Sequence, residues 1–308
     1  MIRLGNMLVV VILCLCRLAG AQVTNSVTAS SNAFVCTGSP IYENGVDLTG
    51  LNFGGAGTLA VAPASAAKGE FRTLLMFNLS NSVTLFNSAC GSNHWSVSSI
   101  SLILTSNYGQ AGVQPNNPIF DVISGGSFVI EWMSGDDWVE GTGTPAIPTT
   151  DGVTWDSLPA LLAQPHVPLC TNTYVPPGVN IPIIWPLPLE RNFMADVTNG
   201  GNASFYLYAA DNQVGYLFNS SVYGRGNQPL LRIVATPRLS LLAGYFTNHV
   251  FHLTGLGGPG ALCQIQASTN LAATNWPTLG TATAATNGLI QFDDPAATNI
   301  QCFYRFSQ

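Results

Sequence analysis

"VSSISLILTS", Val97–Ser106, decides the fold. Ile100, Leu102 and Leu104 fall on one side of an extended chain, and Ser101 and Ile103 on the other. That period of two marks a strand that buries one face. Runs of the same kind lie on both sides of it: "GTLAVAP" (57–63), "FRTLLMFNL" (71–79), "PIFDVIS" (118–124), "SFVIEWM" (127–133), "ASFYLYAA" (203–210) and "LLRIVA" (230–235). No stretch of eleven residues carries a convincing helical period, and "SLPALLA" (157–163) offers one or two helical turns at most. Many short strands between turn signals predict an all-β protein, a jelly-roll-like antiparallel β-sandwich of two sheets that each bury one face.

The composition agrees. Only 8% of the residues are charged, while Gly, Thr, Ser, Val and Pro are abundant, the profile of an extracellular β protein. The N-terminus reads as an export signal: Arg3, the apolar run "MLVVVILCLC", then "LAGA", with cleavage expected after Ala21. The run is short for a membrane-spanning helix, and no later stretch is long and apolar enough to span. The predicted mature chain, 22–308, holds seven basic residues against fifteen acidic ones, and its one lysine is Lys68. Nucleic acid is a poor partner for such a chain, because phosphate contacts need clustered Lys and Arg. Secretion also permits disulfides. Of the five mature cysteines, Cys263 and Cys302 share the C-terminal segment and are the expected pair, which leaves Cys36, Cys90 and Cys170 an odd set.

Residues 165–188, "PHVPLCTNTYVPPGVNIPIIWPLP", contain seven prolines. A central strand is excluded there. The natural reading is a long surface loop with an edge strand near "NIPIIW". A boundary follows near Pro237, where "LLRIVATP" closes one strand pattern and a second unit of about five short strands begins. The expected organisation is a signal segment at 1–21, a large sandwich at 22–237 and a small β-sandwich domain at 238–308. So small a core benefits from a covalent tie.

Several pieces, in order, resemble a known family. "TGSP" (37–40), "FRTLLMFNLS" (71–80), "SSISLILTS" (98–106), "DDWVEGTGT" with "DGVTWDSLP" (136–159), "ADVT" (195–198) and "YGRGNQPLLRIV" (223–234) are similar to the elements of the DNRLRE-type β-sandwich domain. That group includes carbohydrate-binding modules of alginate-degrading enzymes. Asn78 stands where the family usually has aspartate, Ser31-Asn32 where an aspartate is often found, and the Pro-rich 165–188 segment departs from the compact form. The tail, "QIQASTNL", "NWPTLGT" and "FYR", looks like a short immunoglobulin/fibronectin-like domain of secreted bacterial proteins, and no function is carried over from it.

The resemblance implies a sugar-binding module in which basic side chains on one sheet face contact acidic polysaccharide. The matching positions are Lys68, Arg72 and Arg225, expected to converge on one exposed face. Arg forks and Lys point charges suit uronate carboxylates. Trp95 and Trp185 lie in irregular sequence and are the candidate sugar-stacking rings. Trp138 and Trp155 belong to the family framework and are expected in the core. Asp136, Asp137, Glu140, Asp151 and Asp156 crowd around them. Paired carboxylates are the requirement of glycoside hydrolysis, and clustered oxygens suit a structural calcium ion. An exposed loop of a charge-poor sandwich holds such acids equally well. No catalytic residue is assigned, no Ser-His-Asp or Cys-His constellation is recognisable, and no organic cofactor is expected. The reading is a secreted or cell-surface, non-catalytic polysaccharide-binding or adhesion protein. Its alternatives are a glycan lyase or hydrolase and a purely structural envelope or matrix protein.

Overall fold

A computed structural model describes residues 22–39, 45–108, 110–223, 226–297 and 302–307. The expected signal segment, 1–21, and Arg225 lie outside the described residues. In chain order the strands begin β1 (Val23–Thr28), β2 (Ser31–Cys36), β3 (Gly38–Ser39), β4 (Val46–Asp47), β5 (Thr58–Val61), β6 (Phe71–Asn78) and β7 (Trp95–Thr105). They continue with β8 (Gly126–Met133), β9 (His166–Tyr174), β10 (Pro182–Leu187), β11 (Asn202–Ala209), β12 (Tyr216–Asn219) and β13 (Leu230–Pro237). The C-terminal strands are β14 (Ser240–Thr247), β15 (Val250–Leu256), β16 (Leu262–Ser268), β17 (Thr278–Thr283), β18 (Leu289–Asp294) and β19 (Phe303–Ser307). Among the described residues three α-helices interrupt them, α1 (Ser80–Cys90), α2 (Leu158–Leu161) and α3 (Arg191–Asn199), and a 3-10 turn at Trp155–Ser157 leads into α2. The protein is an all-β, sandwich-like fold built from antiparallel sheets. No described helix is long and apolar enough to cross a membrane.

The chain divides into two compact units. Among the described residues, one gathers Asn25–Val83 and Ser99–Ile233; the other gathers 22–24, Thr84–Ser98 and the described residues from Val234 on. The larger unit holds a sheet of order β1-β13-β7-β10 and a sheet of order β2-β6-β11-β8-β9. Ile100, Leu102 and Leu104 of the deciding stretch are all at most 1% exposed. The two sheets meet through aromatic contacts: the Phe128 ring of β8 lies 5.1 Å from that of Trp185 of β10, edge to face. Phe34 stacks on Phe53 at 4.7 Å and meets Phe120 at 5.4 Å, closing one end of this core.

The Pro-rich segment forms two strands rather than a long loop with one. β9 and β10 each stand at a sheet edge. Prolines survive there because an edge strand has one side on which no ladder donor is required. Pro168 sits at a register shift, where Glu131 pairs with Pro168 but Ile130 pairs with Cys170. The extra residue is a bulge.

Two helices carry signals too faint for periodicity. In α1 the fully buried positions are Ser82, Phe86 and Cys90, a spacing of four in which serine and cysteine replace large apolar groups. In α3 the Glu190 carboxylate accepts from the backbone N–H groups of Asn192 (2.7 Å) and Phe193 (3.0 Å). Gly200 closes the helix at φ 72°, the left-handed turn that glycine adopts without cost.

In the smaller unit, sheets of order β14-β15-β18 and β17-β16-β19 enclose Phe251, Leu253, Ile265, Ile290, Tyr304 and Phe306. The Phe251 and Tyr304 rings stack at 4.7 Å. Gly255 is required beneath them, since a Cβ there would lie 2.1 Å from Phe306 Cε2. The expected Cys263–Cys302 disulfide is not formed, and no disulfide is present among the described residues. The register explains why. Gln264 pairs with Ser307 and Ser268 with Phe303, so the two cysteines flank opposite ends of the β16–β19 ladder. Six positions of strand rise separate them by about 20 Å, whereas a disulfide needs Cα atoms within about 7 Å. Burial in the apolar core does the work expected of the covalent tie.

Candidate functional site

The five-stranded sheet turns one face inward and the other outward. The outward face is built from alternate residues: Ala33 and Val35 on β2, Arg72, Leu74 and Met76 on β6, Ser204, Tyr206 and Tyr208 on β11, and Glu131 and Met133 on β8. The register lines them into rows. Val35, Arg72, Tyr208 and Val129 form one, and Ala33, Leu74, Tyr206, Glu131 and Pro168 the next.

The segment 136–162 covers part of this face. Trp138, Val153, Leu158 and Leu161 pack on Ala33, Val35, Leu74, Met76, Met133 and Tyr206. Buried Asn52 holds the covering segment in place. Its amide donates to the carbonyls of Glu140 (2.7 Å) and Val153 (2.8 Å), and its oxygen accepts from the N–H groups of Gly54 (3.0 Å) and Gly143 (3.2 Å). The glycines of "EGTG" follow from that approach: a Cβ on Gly143 would lie 1.8 Å from the Asn52 carbonyl oxygen. The acids of this segment are engaged one by one. Glu140 accepts from the backbone and side chain of Asn32. Thr142 and Thr149 donate to Asp151 at 2.7 and 2.6 Å and hold its carboxyl down at about 2. Ser204 donates to Asp136 at 2.7 Å. Among the described residues, no three His, Cys, Asp or Glu side chains group as metal ligands.

Beside the cover, the same face turns polar. Arg72 Nε donates to Glu70 Oε1 at 2.6 Å, and its Nη1 donates to the Tyr206 hydroxyl. The guanidinium lies 4.5 Å from the centre of the Trp155 ring and 5.6 Å from that of Tyr206. Such cation–π stacking fixes the plane of the fork. Burial alone would lower the Arg72 pKa, but the Tyr206 phenol and the Glu70 carboxylate outweigh it and the net shift is upward. The Tyr208 ring lies 5.1 Å from that of Tyr206. Burial, reinforced by the Glu131 carboxylate beside it, pushes the Tyr208 phenol up to about 12. Glu131, itself buried, bonds to Nδ1 of the exposed His166 ring. Two carboxylates, a guanidinium, an imidazole, two phenols and an indole thus meet on one sheet face of a chain that is 8% charged. The Arg72 side chain keeps 27% of its surface exposed, and with two of its five N–H donors engaged it can accept a further anionic or hydroxyl partner.

A groove of about 390 Å³ opens on the outer side of the cover. Trp138, Val139, Asp151, Val153, Ser157 and Leu161 line it, mostly with apolar surface.

Arg225 lies outside the described residues; of the described residues expected to bind ligand, Arg72 alone takes a place in this cluster. Lys68 lies in the turn before β6, where its backbone N–H donates to the Asp121 carboxylate at 2.7 Å. Trp95 and Trp185 are not sugar platforms. Trp95 is 6% exposed, packs on Phe86 at 5.1 Å and donates its Nε1–H to Asn87 at 2.8 Å. Trp185 is 8% exposed and edge-on to Phe128. Both rings are consumed by packing, since Trp95 opens β7 and Trp185 sits within β10 opposite Leu102. Trp138 is buried as expected, whereas Trp155 is half-buried with its face on Arg72. Sequence reasoning missed Tyr206, Tyr208, Glu131 and His166. The signal for three of them was present: Tyr206 and Tyr208 share one face of "ASFYLYAA", and Glu131 is a lone charge inside the apolar run "SFVIEWM".

No family model and no curated protein matches the chain. Among solved structures, a Ruminococcus gnavus β-glucuronidase aligns over 94% of this chain and 44% of its own, at 6% identity and a TM-score of 0.21. Another crystal structure of R. gnavus β-glucuronidase aligns over 96% of this chain and 45% of its own, at 7% identity and a TM-score of 0.20. The chain spans less than half the length of these proteins, and so loose a superposition carries no argument about activity.

Proposed function

We propose that this is a secreted, non-catalytic polysaccharide-binding protein and that the polar end of the outward sheet face is its binding surface. The observation that carries the reading is Arg72, its guanidinium over the Trp155 ring at 4.5 Å and anchored by Glu70, with part of the side chain open to solvent. A planar fork held in this way suits a sugar carboxylate or a pair of hydroxyls. The half-buried Trp155 and Tyr208 rings offer apolar surface to the faces of sugar rings, and Glu131 and His166 add hydrogen-bonding capacity for hydroxyls. Glu70 and Glu131 balance the positive charge, which favours a sparsely charged glycan over a dense polyanion.

Affinity electrophoresis of the full chain against alginate, pectin and neutral glucans tests this. Retardation by at least one polymer, reduced at least tenfold in affinity by Arg72→Met, is the expected result. Absence of retardation by every polymer sinks the proposal. A glycan lyase or hydrolase is the second reading, favoured by Tyr208, Glu131 and His166 as proton-carrying groups beside Arg72. Release of unsaturated uronates or of reducing ends from the same panel would put it first.

A further inference from the structure

The guanidinium-on-indole arrangement of the binding face recurs in the smaller unit. The Arg305 guanidinium lies 4.6 Å from the centre of the Trp276 ring, and its Nε donates to Gln266 Oε1 at 2.7 Å. The corresponding distances for Arg72 are 4.5 Å to Trp155 and 2.6 Å to Glu70. Register builds the second arrangement: Gln266 of β16 pairs with Arg305 of β19 on one side and with Thr278 of β17 on the other. Alternation turns Gln264, Gln266 and Arg305 outward, because Cys263, Ile265, Tyr304 and Phe306 fill the core. Trp276 is 7% exposed and its Nε1–H is spent on the Ala273 carbonyl at 2.9 Å, so the ring backs the guanidinium and does not itself face solvent.

Two differences from Arg72 decide the ligand chemistry. The oxygen that holds Arg305 belongs to a neutral amide, and among the described residues no carboxylate forms an ion pair with it. Arg305 is also the one charged residue in "LCQIQAS", "TLGTAT" and "FYRFS", the strands β16, β17 and β19. Its positive charge is therefore uncompensated on this face, and with Nε engaged the two Nη groups remain as a pair of donors. That pair matches the two oxygens of a carboxylate. Beside it stand uncharged hydrogen-bonding groups: Gln266, then exposed Gln264 and exposed Thr278, whose Oγ1 reaches Gln264 Oε1 at 3.4 Å. A simple anion has no use for them, whereas the hydroxyls of a sugar ring do.

We propose that the outward face of the β17-β16-β19 sheet is a second glycan site, centred on Arg305 and selective for carboxylate-bearing sugars. It rests on the glycan-binding reading for its ligand class. It differs from the Arg72 face in demanding a charged sugar, because no acid of its own neutralises the guanidinium.

Affinity electrophoresis of the full chain in polygalacturonate and in its fully methyl-esterified form tests this, since the two polymers differ only in the carboxylate. Wild type should bind the free acid more tightly than the ester. Arg305→Met should weaken binding to the free acid by at least about tenfold and binding to the ester by less than about twofold. Equal wild-type affinity for the two polymers overturns the proposal without recourse to any variant. A variant that unfolds at a lower temperature yet keeps its affinity for the free acid also overturns it, and assigns Arg305 to packing over Trp276. Arg72→Met on the same gels separates the two readings: loss of ester binding there, with Arg305→Met silent on both polymers, leaves the first face standing and removes the second.

Discussion

Single side chains set the geometry of the binding face and the pH response of the fold. Three of the four side-chain hydrogen bonds of Asn52 pin the cover segment, and the residue is fully buried. Asn52→Ala leaves several buried backbone groups unpaired, at about 1–3 kcal/mol each before relaxation. A loss of about 3–5 kcal/mol in urea unfolding is expected, and a loss below about 1 kcal/mol would show that the cover is held by packing alone. Asp196 sits on α3, where Trp132 Nε1 donates to it at 2.7 Å. Burial, against that hydrogen bond and with Asp136 nearby, raises its carboxyl from 3.8 to about 6. The native state therefore holds this proton more tightly than the unfolded chain. The associated stability is complete below about pH 4 and is lost as pH rises through about 6. Asp136 and Glu140 are raised by burial as well and act in the same direction. Asp196→Asn keeps a hydrogen-bond acceptor for Trp132 and should flatten the decline between pH 4 and 6. An equally steep decline in the variant would assign it elsewhere.

At the level of strands and helices, legibility followed how directly a residue's face was written in the alternation. β7 was readable because Ile100, Leu102 and Leu104 are apolar and buried on one side. α1 was not, because Ser82 and Cys90 occupy two of its three buried positions. β9 hid behind Pro168, which an edge strand tolerates and a central one does not. The cysteine pairing failed for a reason invisible in composition: segment membership says nothing about register, and register places Cys263 and Cys302 at opposite ends of a ladder. Adding reductant should accordingly leave the melting temperature unchanged. A native disulfide in a domain this small would instead cost roughly 2–5 kcal/mol on reduction. Within the same sheets Gly255→Ala drives a methyl into the Phe306 ring and should destabilise by at least about 2 kcal/mol. A neutral result by calorimetry would mean that the ring has room to move.

For the whole molecule, the all-β class followed from composition and alternation together, but the functional face did not. Arg72 was legible as one of few cations. Its partners come from β8, β11 and the 3-10 turn that carries Trp155, separated by up to 134 residues along the chain, and only strand order brings them together. The covering stretch from Trp138 to Leu162 shows the same division. Its tryptophans and acids invite an active-site reading, yet Trp138 is core, and Glu140, Asp151 and the adjoining Asp136 each accept a hydrogen bond from a neutral side chain. What it contributes to function is Trp155, laid on Arg72. Hydrogen–deuterium exchange of the full chain with and without oligomers of the polymer that retards it most tests that placement most directly. New protection confined, within the larger unit, to residues 70–74, 129–133, 153–157 and 204–208 is the result that glycan binding at this face requires. Protection that falls elsewhere in that unit, or none there at saturating oligomer, would contradict it.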